Sequence, residues 1–433
     1  MNQGSWRNFA GDQVCRPRTI EHPGTAAELT AVLERADARG ETVRVAGSGH
    51  SFNDAVLTEG TMISLARMNR VLDIDSTSGL VRCEAGISLG ALSAAMWQQG
   101  LAFANLGDID VQSIAGATAT GTHGTGIGLP NLSASLRSIE LTTADGRRVE
   151  IDADSDPEAY RAARVGVGAL GVVSAVTLQA VPAFTLSGVD TVAPRAQVLE
   201  QLDDLVDSND HFGFFAFAHS PLVMTKTWNR TSEAPRPLPA AAEWIQDELL
   251  TNYTFWAMCR LGRARPQWIP AVNRLCTRLS GTTRRVDRSY RVFATPRRVP
   301  ITEMEYAIPR EHAAEAVRRI LALAEESRFD VPVPIEVRFV APDDAFLSPA
   351  GDRPTCYIAV HQFENMAWDN YFRAVEQIMI GYGGRPHWGK RHFRTAADLA
   401  PEFPHWDRFA AVRDRLDPQR RFTNAYVERV LGN

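Results

Sequence analysis

Between Asn105 and Gly128 the chain reads NLGDIDVQSIAGATATGTHGTGIG, a run of glycine, alanine and threonine with almost no large side chain. Interiors are close-packed, so such a run cannot fill a core alone; other atoms must occupy the volume it leaves. A flexible linker is one reading. Linkers of this kind are usually Ser/Gly/Pro-rich and charged, whereas this run sits between well-patterned elements, so a cradle for a non-protein group is the stronger reading. Small residues with free N–H and hydroxyl groups are what a pyrophosphate needs.

A second glycine-rich stretch precedes it. Val43 to Asn53 reads VRVAGSGHSFN, in which a short strand runs straight into Gly47-Ser48-Gly49 and on to His50 and Ser51. Glycines there allow positive φ and remove Cβ atoms, so a flat or phosphorylated ligand can approach the backbone, and His50 stands at the mouth of the turn. Taken alone, the motif fits equally well a tight strand-ending turn whose histidine is hydrogen-bonded nearby.

The whole chain narrows the function class. At 433 residues it is too long for one core, and two or three domains are expected. A net charge of −5 with mixed signs leaves no footprint for nucleic acid, and no basic run is dense enough to suggest an anionic membrane. The N-terminal MNQGSWRNFAGDQ lacks a signal-peptide pattern and no window nears eighteen apolar residues, so a soluble, unexported, cytoplasmic protein without a membrane segment is expected. Cys15, Cys83, Cys259, Cys276 and Cys356 are odd in number, scattered and without a C-x-x-C pair, which suits reduced thiols and offers no zinc site; no metal is expected.

Periodicity supplies the elements. Thr25 caps a helix that ends before Gly40, and Ser88 caps a second over Leu89 to Gln98. Thr61–Leu65, Val71–Asp75 and Leu80–Glu84 read as a meander, and Leu136–Thr143 and Arg147–Ile151 flank a hairpin turn at Ala144-Asp145-Gly146. Gly166 to Gly171 is a literal G-x-G-x-x-G, but it follows a helix and opens the strand Val172 to Val181, the reverse of a dinucleotide fingerprint; a packed turn is expected. After Pro182 the composition turns aromatic and proline-rich, with Phe212, Phe214, Phe215 and Phe217 read as core, a ligand wall being the alternative. Trp244 to Leu261 and Arg310 to Arg328 read as helices, Thr302–Ile308 as a strand and Asp369 to Gly381 as a further helix.

Val333 to Val340, VPIEVRFV, puts Ile335, Val337 and Phe339 on one face and Glu336 and Arg338 on the other. The following Cys356–Phe363 strand offers His361 to the same neighbourhood. A solvated ion pair on a sheet face is the plain alternative, weakened by the apolar surroundings.

In this order the pieces resemble the vanillyl-alcohol-oxidase class of FAD flavoproteins, and within it the aldonolactone oxidoreductases and alditol oxidases. GSGHS at 47–51, NLGDID at 105–110, SIAGATATGTHGTG at 113–126, GALGVVSAVTLQ at 168–179, EVRF at 336–339, HWGK at 387–390 and DPQRRFTNAY at 417–426 carry the resemblance over essentially the whole length. It is nearest to the bacterial L-gulono-1,4-lactone dehydrogenases and oxidases. The resemblance implies an α+β, two-domain fold: a bipartite FAD-binding domain over 1–181, a substrate cap over 182–385, and a return to the FAD domain over 386–433. It implies a covalent FAD bond through His50, and a cofactor site drawn from Gly47, Ser48, Gly49, Ser51, Phe52, Gly107, Asp108, Ser113, Gly116, Ala117, Thr120, Gly121, Thr122, His123, Gly124 and Val173. Glu336, Arg338, His361 and Lys390 match the substrate-facing residues, with His361 the candidate base. The implied reaction is oxidation of a sugar lactone at a secondary alcohol, with O2 or a protein or dye as electron acceptor; a polyol is the alternative substrate. Asp108 and Phe363, which stand where the alditol oxidases carry serine and threonine, move the balance to a lactone.

Overall fold

The computed structural model describes residues 4–327 and 329–433. Four strands, Leu222–Thr231, His211–Ala216, Ile335–Val340 and Thr355–Phe363, form the centre of an eight-stranded antiparallel sheet. Thr283–Arg288 and Thr185–Pro194 extend it on one side; Ile301–Pro309 and the short Arg385–Pro386 extend it on the other. One face of this sheet is a hydrophobic layer. Phe212, Phe214, Ile335, Val337, Phe339, Ile358 and Val360 pack there against the helices Ala313–Glu326 and Asp369–Ile380, as the alternation predicts. The opposite face carries the charged residues.

Two smaller sheets come from the first third of the chain. Arg148–Asp152, Leu136–Thr142, Val172–Gln179, Leu80–Glu84 and Val71–Asp75 make an antiparallel five-stranded sheet, and Thr19–Glu21, Thr61–Ser64 and Val43–Ala46 make a parallel three-stranded one. The expected meander therefore divides. Thr61–Ser64 pairs in parallel both with the strand that enters the Gly47 turn and with Thr19–Glu21, and the Ala26–Ala38 helix is the crossover that lets those two flanking strands run parallel. That helix starts where expected, with Thr25 Oγ1 accepting from Glu28 N at 3.1 Å, and Ser88 likewise accepts from Ala91 N.

The small-residue run is not extended throughout. Ser113 caps a short helix, Ile114–Ala119, whose alanines and glycine let it pack tightly under the five-stranded sheet. The G-x-G-x-x-G at 166–171 is the packed turn expected of it. Gly168 and Gly171 have φ of +65° and +147°, and a Cβ on Gly171 would sit 2.4 Å from Leu141. Buried Arg44 ties this turn to the rest by donating to the carbonyls of Ala55, Val167, Gly168 and Phe422. Phe422 belongs to the C-terminal segment, and Tyr426, Val427 and Val430 complete the core beneath the five-stranded sheet.

Further along, the segment read as one helix from Trp244 runs as a π-helix over Trp244–Thr254 and an α-helix over Phe255–Ala264. The helix expected over 310–328 opens with the turn Arg310–His312 and continues over Ala313–Glu326; Arg328 lies outside the described residues.

Candidate active site

Sheet register assembles the polar face. Cross-strand partners share a face, so Lys226, Gly213, Arg338, Tyr357 and Ala307 form one row across five strands, and Met224, Phe215, Glu336, Ala359 and Glu305 form the next. In a third row Glu303 stands directly opposite His361. Small residues alternate with the long charged ones, which gives the charged ones room to lie over the sheet. A Cβ on Gly213, for example, would be 2.9 Å from the Val337 carbonyl and 3.7 Å from Arg338.

Two carboxylates on the Ile301–Pro309 strand organise these charges. Glu305, 1 % exposed, accepts from Arg338 Nη2 at 2.7 Å and lies 3.2 Å from His123 Nε2. Burial works against its charge, but the guanidinium outweighs burial and holds Glu305 well below the usual carboxylate range. Burial keeps the His123 ring neutral, with Nδ1 2.9 Å from the Gly124 carbonyl and the ring stacked 3.5 Å from Tyr357. His387 joins this cluster, also neutral, because burial pushes it down to about 3; its Nδ1 accepts from Gly389 N. His123, Glu305 and His387 bring ligand atoms within 4.8 Å of one another; Glu305 Oε1 accepts from the guanidinium and His387 Nδ1 from the Gly389 N–H. The trio is built for hydrogen bonding.

Glu303, two residues earlier, accepts from Lys390 Nζ and lies 3.7 Å from His361 Nε2. Despite burial, Lys390 and His361 hold its carboxyl down at about 2. Burial would favour a neutral His361, yet hydrogen bonding to and the charge of Glu303 outweigh it and raise the imidazole above its ordinary value. With Nδ1 also 2.8 Å from the Pro334 carbonyl, both ring nitrogens face acceptors. Acceptors at both nitrogens favour the protonated ring, the form that has no lone pair to receive a proton. Glu336 differs from every other acid on this face. Burial and the nearby Asp108 raise its carboxyl above the ordinary range, against the pull of Arg338 Nε at 3.9 Å.

The Gly47–Ser51 turn reaches this face through the C-terminal segment. Phe52 N donates to the Gly389 carbonyl, and Asn53 Nδ2 donates to the carbonyls of Trp388 and Lys390. Lys390 Nζ lies 5.0 Å over the Phe52 ring. Burial first, and Lys390 second, lower the His50 pKa, which favours the neutral imidazole; the ring stacks on Phe9 at 4.4 Å. Around it the backbone is open. The N–H groups of Ser48, Gly49, His50 and Ser51 donate to no described residue, and Gly47 approaches Ser113 so closely that a Cβ would meet its Oγ at 2.7 Å. Ser48 Oγ donates to the Val111 carbonyl.

The rest of the expected cofactor set falls on three neighbouring segments. Ser113, Gly116 and Ala117 form the start of the Ile114–Ala119 helix, and the Thr120 hydroxyl turns back onto the Gly116 carbonyl. Thr122 donates its N–H to Ala117, Gly121 takes a φ of +74°, and Gly124 fits against Asn105 and Leu106, where a Cβ would lie 2.3 Å from either. Gly107 is less closely held, 3.1 Å from the His123 carbonyl by the same measure. Val173, on the Val172–Gln179 strand opposite Leu141, packs between two cores. Asp108 is the outlying member. Its carboxylate meets Arg297 at 2.8 Å and Lys226 at 3.5 Å, and these cations, opposing burial, keep it ionised.

Family models of the FAD binding domain and of D-arabinono-1,4-lactone oxidase match residues 17–152 and 176–430. The chain is 51% identical over 427 residues to the L-gulono-1,4-lactone dehydrogenase of Mycobacterium tuberculosis, covering 99% of each. The chain belongs to the D-arabinono-1,4-lactone oxidase family. It is an FAD-dependent oxidoreductase of that family, 34% identical to the L-gulonolactone oxidase of Bos taurus over 98% of each chain and 30% identical to the alditol oxidase of a Streptomyces species over 98% of each. The fold is that of cholesterol oxidase from B. sterolicum, with a TM-score of 0.84 at 17% identity over 99% of this chain and 96% of that one. The two-domain α+β architecture implied by the sequence motifs is therefore the architecture of this lactone-oxidase family member.

The residues present fit FAD. A cradle of undonated N–H groups with no room for a Cβ at Gly47 suits a pyrophosphate. Glu305 Oε2, Arg338 Nε and Asn105 Nδ2 are buried without hydrogen-bond partners, leaving donors and acceptors for a polar-edged ring. Two corrections accompany this. Phe363 is buried against Cys259 and Val333, so its identity says nothing direct about the substrate. Phe215, read as core, lies under Lys226 and Arg297 on the polar face. Sequence reasoning passed over Glu303, Glu305, Lys226 and Arg297. The first two carried a usable signal, since T-E-M-E-Y-A-I alternates acid and apolar residues just as I-E-V-R-F-V alternates charged and apolar ones.

Proposed function

We propose that this protein oxidises an aldonolactone, L-gulono-1,4-lactone or a near relative, at a secondary alcohol. The carrying observation is the meeting of Glu336, Arg338 and Lys390 on one sheet face that hydrogen bonds from Phe52 and Asn53 tie to the His50 turn. FAD, when bound, supplies the acceptor for the hydride that leaves the alcohol carbon, and O2 or another acceptor takes the electrons on. The chain's own task is the proton and the charge. Arg338 and Lys390, paired with Glu305 and Glu303, stabilise the alkoxide as it forms. Glu336, whose elevated pKa brings it towards working pH, receives the hydroxyl proton. His361 contributes a fixed positive charge.

His50, neutral and at the mouth of the cradle, is the residue for a covalent bond to the flavin, since the neutral imidazole carries the nucleophilic lone pair. We assign residues 1–181 with 386–433 to the FAD-binding domain and 182–385 to the cap, and a cytoplasmic location from five unpaired cysteines. No described helix is long and apolar enough to cross a membrane. The test joins two readouts. Acid precipitation of the wild type should give a yellow pellet and His50→Ala a colourless one; anaerobic L-gulono-1,4-lactone should bleach the flavin faster than xylitol or sorbitol does. Faster bleaching by the polyols would move the assignment to an alditol oxidase, and no bleaching by either would remove the proposed reaction.

A further inference from the structure

Large apolar side chains that lie open to solvent are not spread evenly over this molecule. Of the twelve so exposed among the described residues, seven fall between Trp244 and Leu279. An overlapping stretch has a one-sided charge. From 249 to 286 there is no Asp or Glu and there are seven arginines, in a chain whose net charge is −5.

The helix Ile269–Leu279 shows why this is not chance exposure. Its inward face is mixed: beside buried Ile269, Asn273 Nδ2 donates to the carbonyls of Ala218 and Val331, and the Thr277 hydroxyl pairs with Ser220. Its outward face carries Leu275 and Leu279, 53% and 74% exposed, beside Arg274 and Arg278. A water-facing helix normally keeps its leucines on the inward face. Phe255–Ala264 lies alongside, with Gly262 against Ile269, and turns Arg260 and Leu261 outward; Trp268, half exposed, joins the two helices. Arg260, Arg265, Arg274 and Arg278 pair with no carboxylate among the described residues.

We propose that this helix pair is a docking face for an anionic lipid bilayer surface. Leucine, tryptophan and arginine in this arrangement match an interface where rings and aliphatic chains enter the headgroup boundary and guanidinium groups reach lipid phosphates. A second copy of the chain is a poor occupant, because a two-fold contact would set like-charged arginines against one another. The helices sit over the end of the Thr355–Phe363 strand: Phe363 packs with Cys259, and Arg263 donates to the Glu364 carbonyl. The docking face therefore lies on the same sheet as the active site. No run of basic residues announces it, since helix spacing and the two-helix packing gather arginines that stand apart in the sequence.

The test uses the full-length holoenzyme and sedimentation with vesicles of phosphatidylcholine alone or with phosphatidylglycerol added. Partition onto the phosphatidylglycerol vesicles should be at least about tenfold stronger and should weaken as salt is raised. The R274E/R278E double variant, and separately L275S/L279S, should each lower that partition about tenfold or more while lactone-to-dye turnover in solution and flavin content stay at wild-type levels. Equal partition onto both vesicle types, or unchanged partition in both variants, would overturn the proposal. A concentration-dependent dimer in analytical ultracentrifugation, lost in L275S/L279S, with no vesicle binding, would overturn it in favour of a second copy.

Discussion

The two carboxylates of the Ile301–Pro309 strand hold similar partners in different settings. Glu305, with Arg338, His123 and His387, is sealed; its side chain and that of His123 are each 1% exposed. Glu303, with Lys390 and His361, opens at one end, where the lysine is 19% exposed. A sealed ion pair cannot exchange its partner for water, so its geometry is fixed but the loss of either member strands a buried charge. An open pair tolerates movement and answers to pH. The sealed cluster thus serves as the rigid anchor of the site and the open one as its adjustable charge.

Four substitutions would break or sharpen this contrast. Arg338→Met should lower turnover by about a thousandfold while the protein stays yellow, since it removes the transition-state charge and leaves Glu305 unpaired; Lys390→Met should cost only about tenfold to a hundredfold, because His361 still neutralises Glu303. Steady-state turnover with equal flavin content measures both, and equal losses would erase the distinction. Glu305→Gln should destabilise the fold by about 3–5 kcal/mol in urea unfolding of matched holoenzymes, by breaking a buried pair. Glu303→Gln should cost less stability and act on pH instead.

The sign of that pH effect follows from the shifts. Glu303, held at about 2, contributes stability above the ordinary carboxylate range and loses it as pH falls towards 2. His361 is raised, so its stabilising charge is complete below the ordinary imidazole value and is lost as pH climbs through the raised one. Glu303→Gln removes the cause of that rise. The alkaline limb of the turnover profile should then move to lower pH, and an unmoved limb would detach His361 from turnover. The smallest effect is expected at Asp108→Ser, which frees Lys226 and Arg297 and should shift the ratio of lactone to polyol oxidation by about tenfold, measured as kcat/KM for each.

Much of this was legible in the residue order. Glycines at 47 and 49 before His50, small residues from 105 to 128, and the charged face of I-E-V-R-F-V are local signals, set by backbone sterics and by the two-residue period of a strand. The split of the expected meander was not legible, because three short strands of similar pattern do not say which sheet each joins. Nor was Phe215, whose neighbours Phe212 and Phe214 are core: its odd spacing from them placed it on the other face, but only the sheet shows what that face holds.

By itself, then, the sequence determined the strand faces and the tight turns, which depend on contacts within a few residues, while the cofactor class came from the resemblance of its motifs to a known family. The tertiary structure alone decided which carboxylate meets which cation. Glu303 faces His361 and Glu305 reaches Arg338 only because three strands, 50 and more residues apart in part, lock into one register. A shift of one residue in that register would send every charged side chain to the apolar face, and burial of the opposite face is what forbids it.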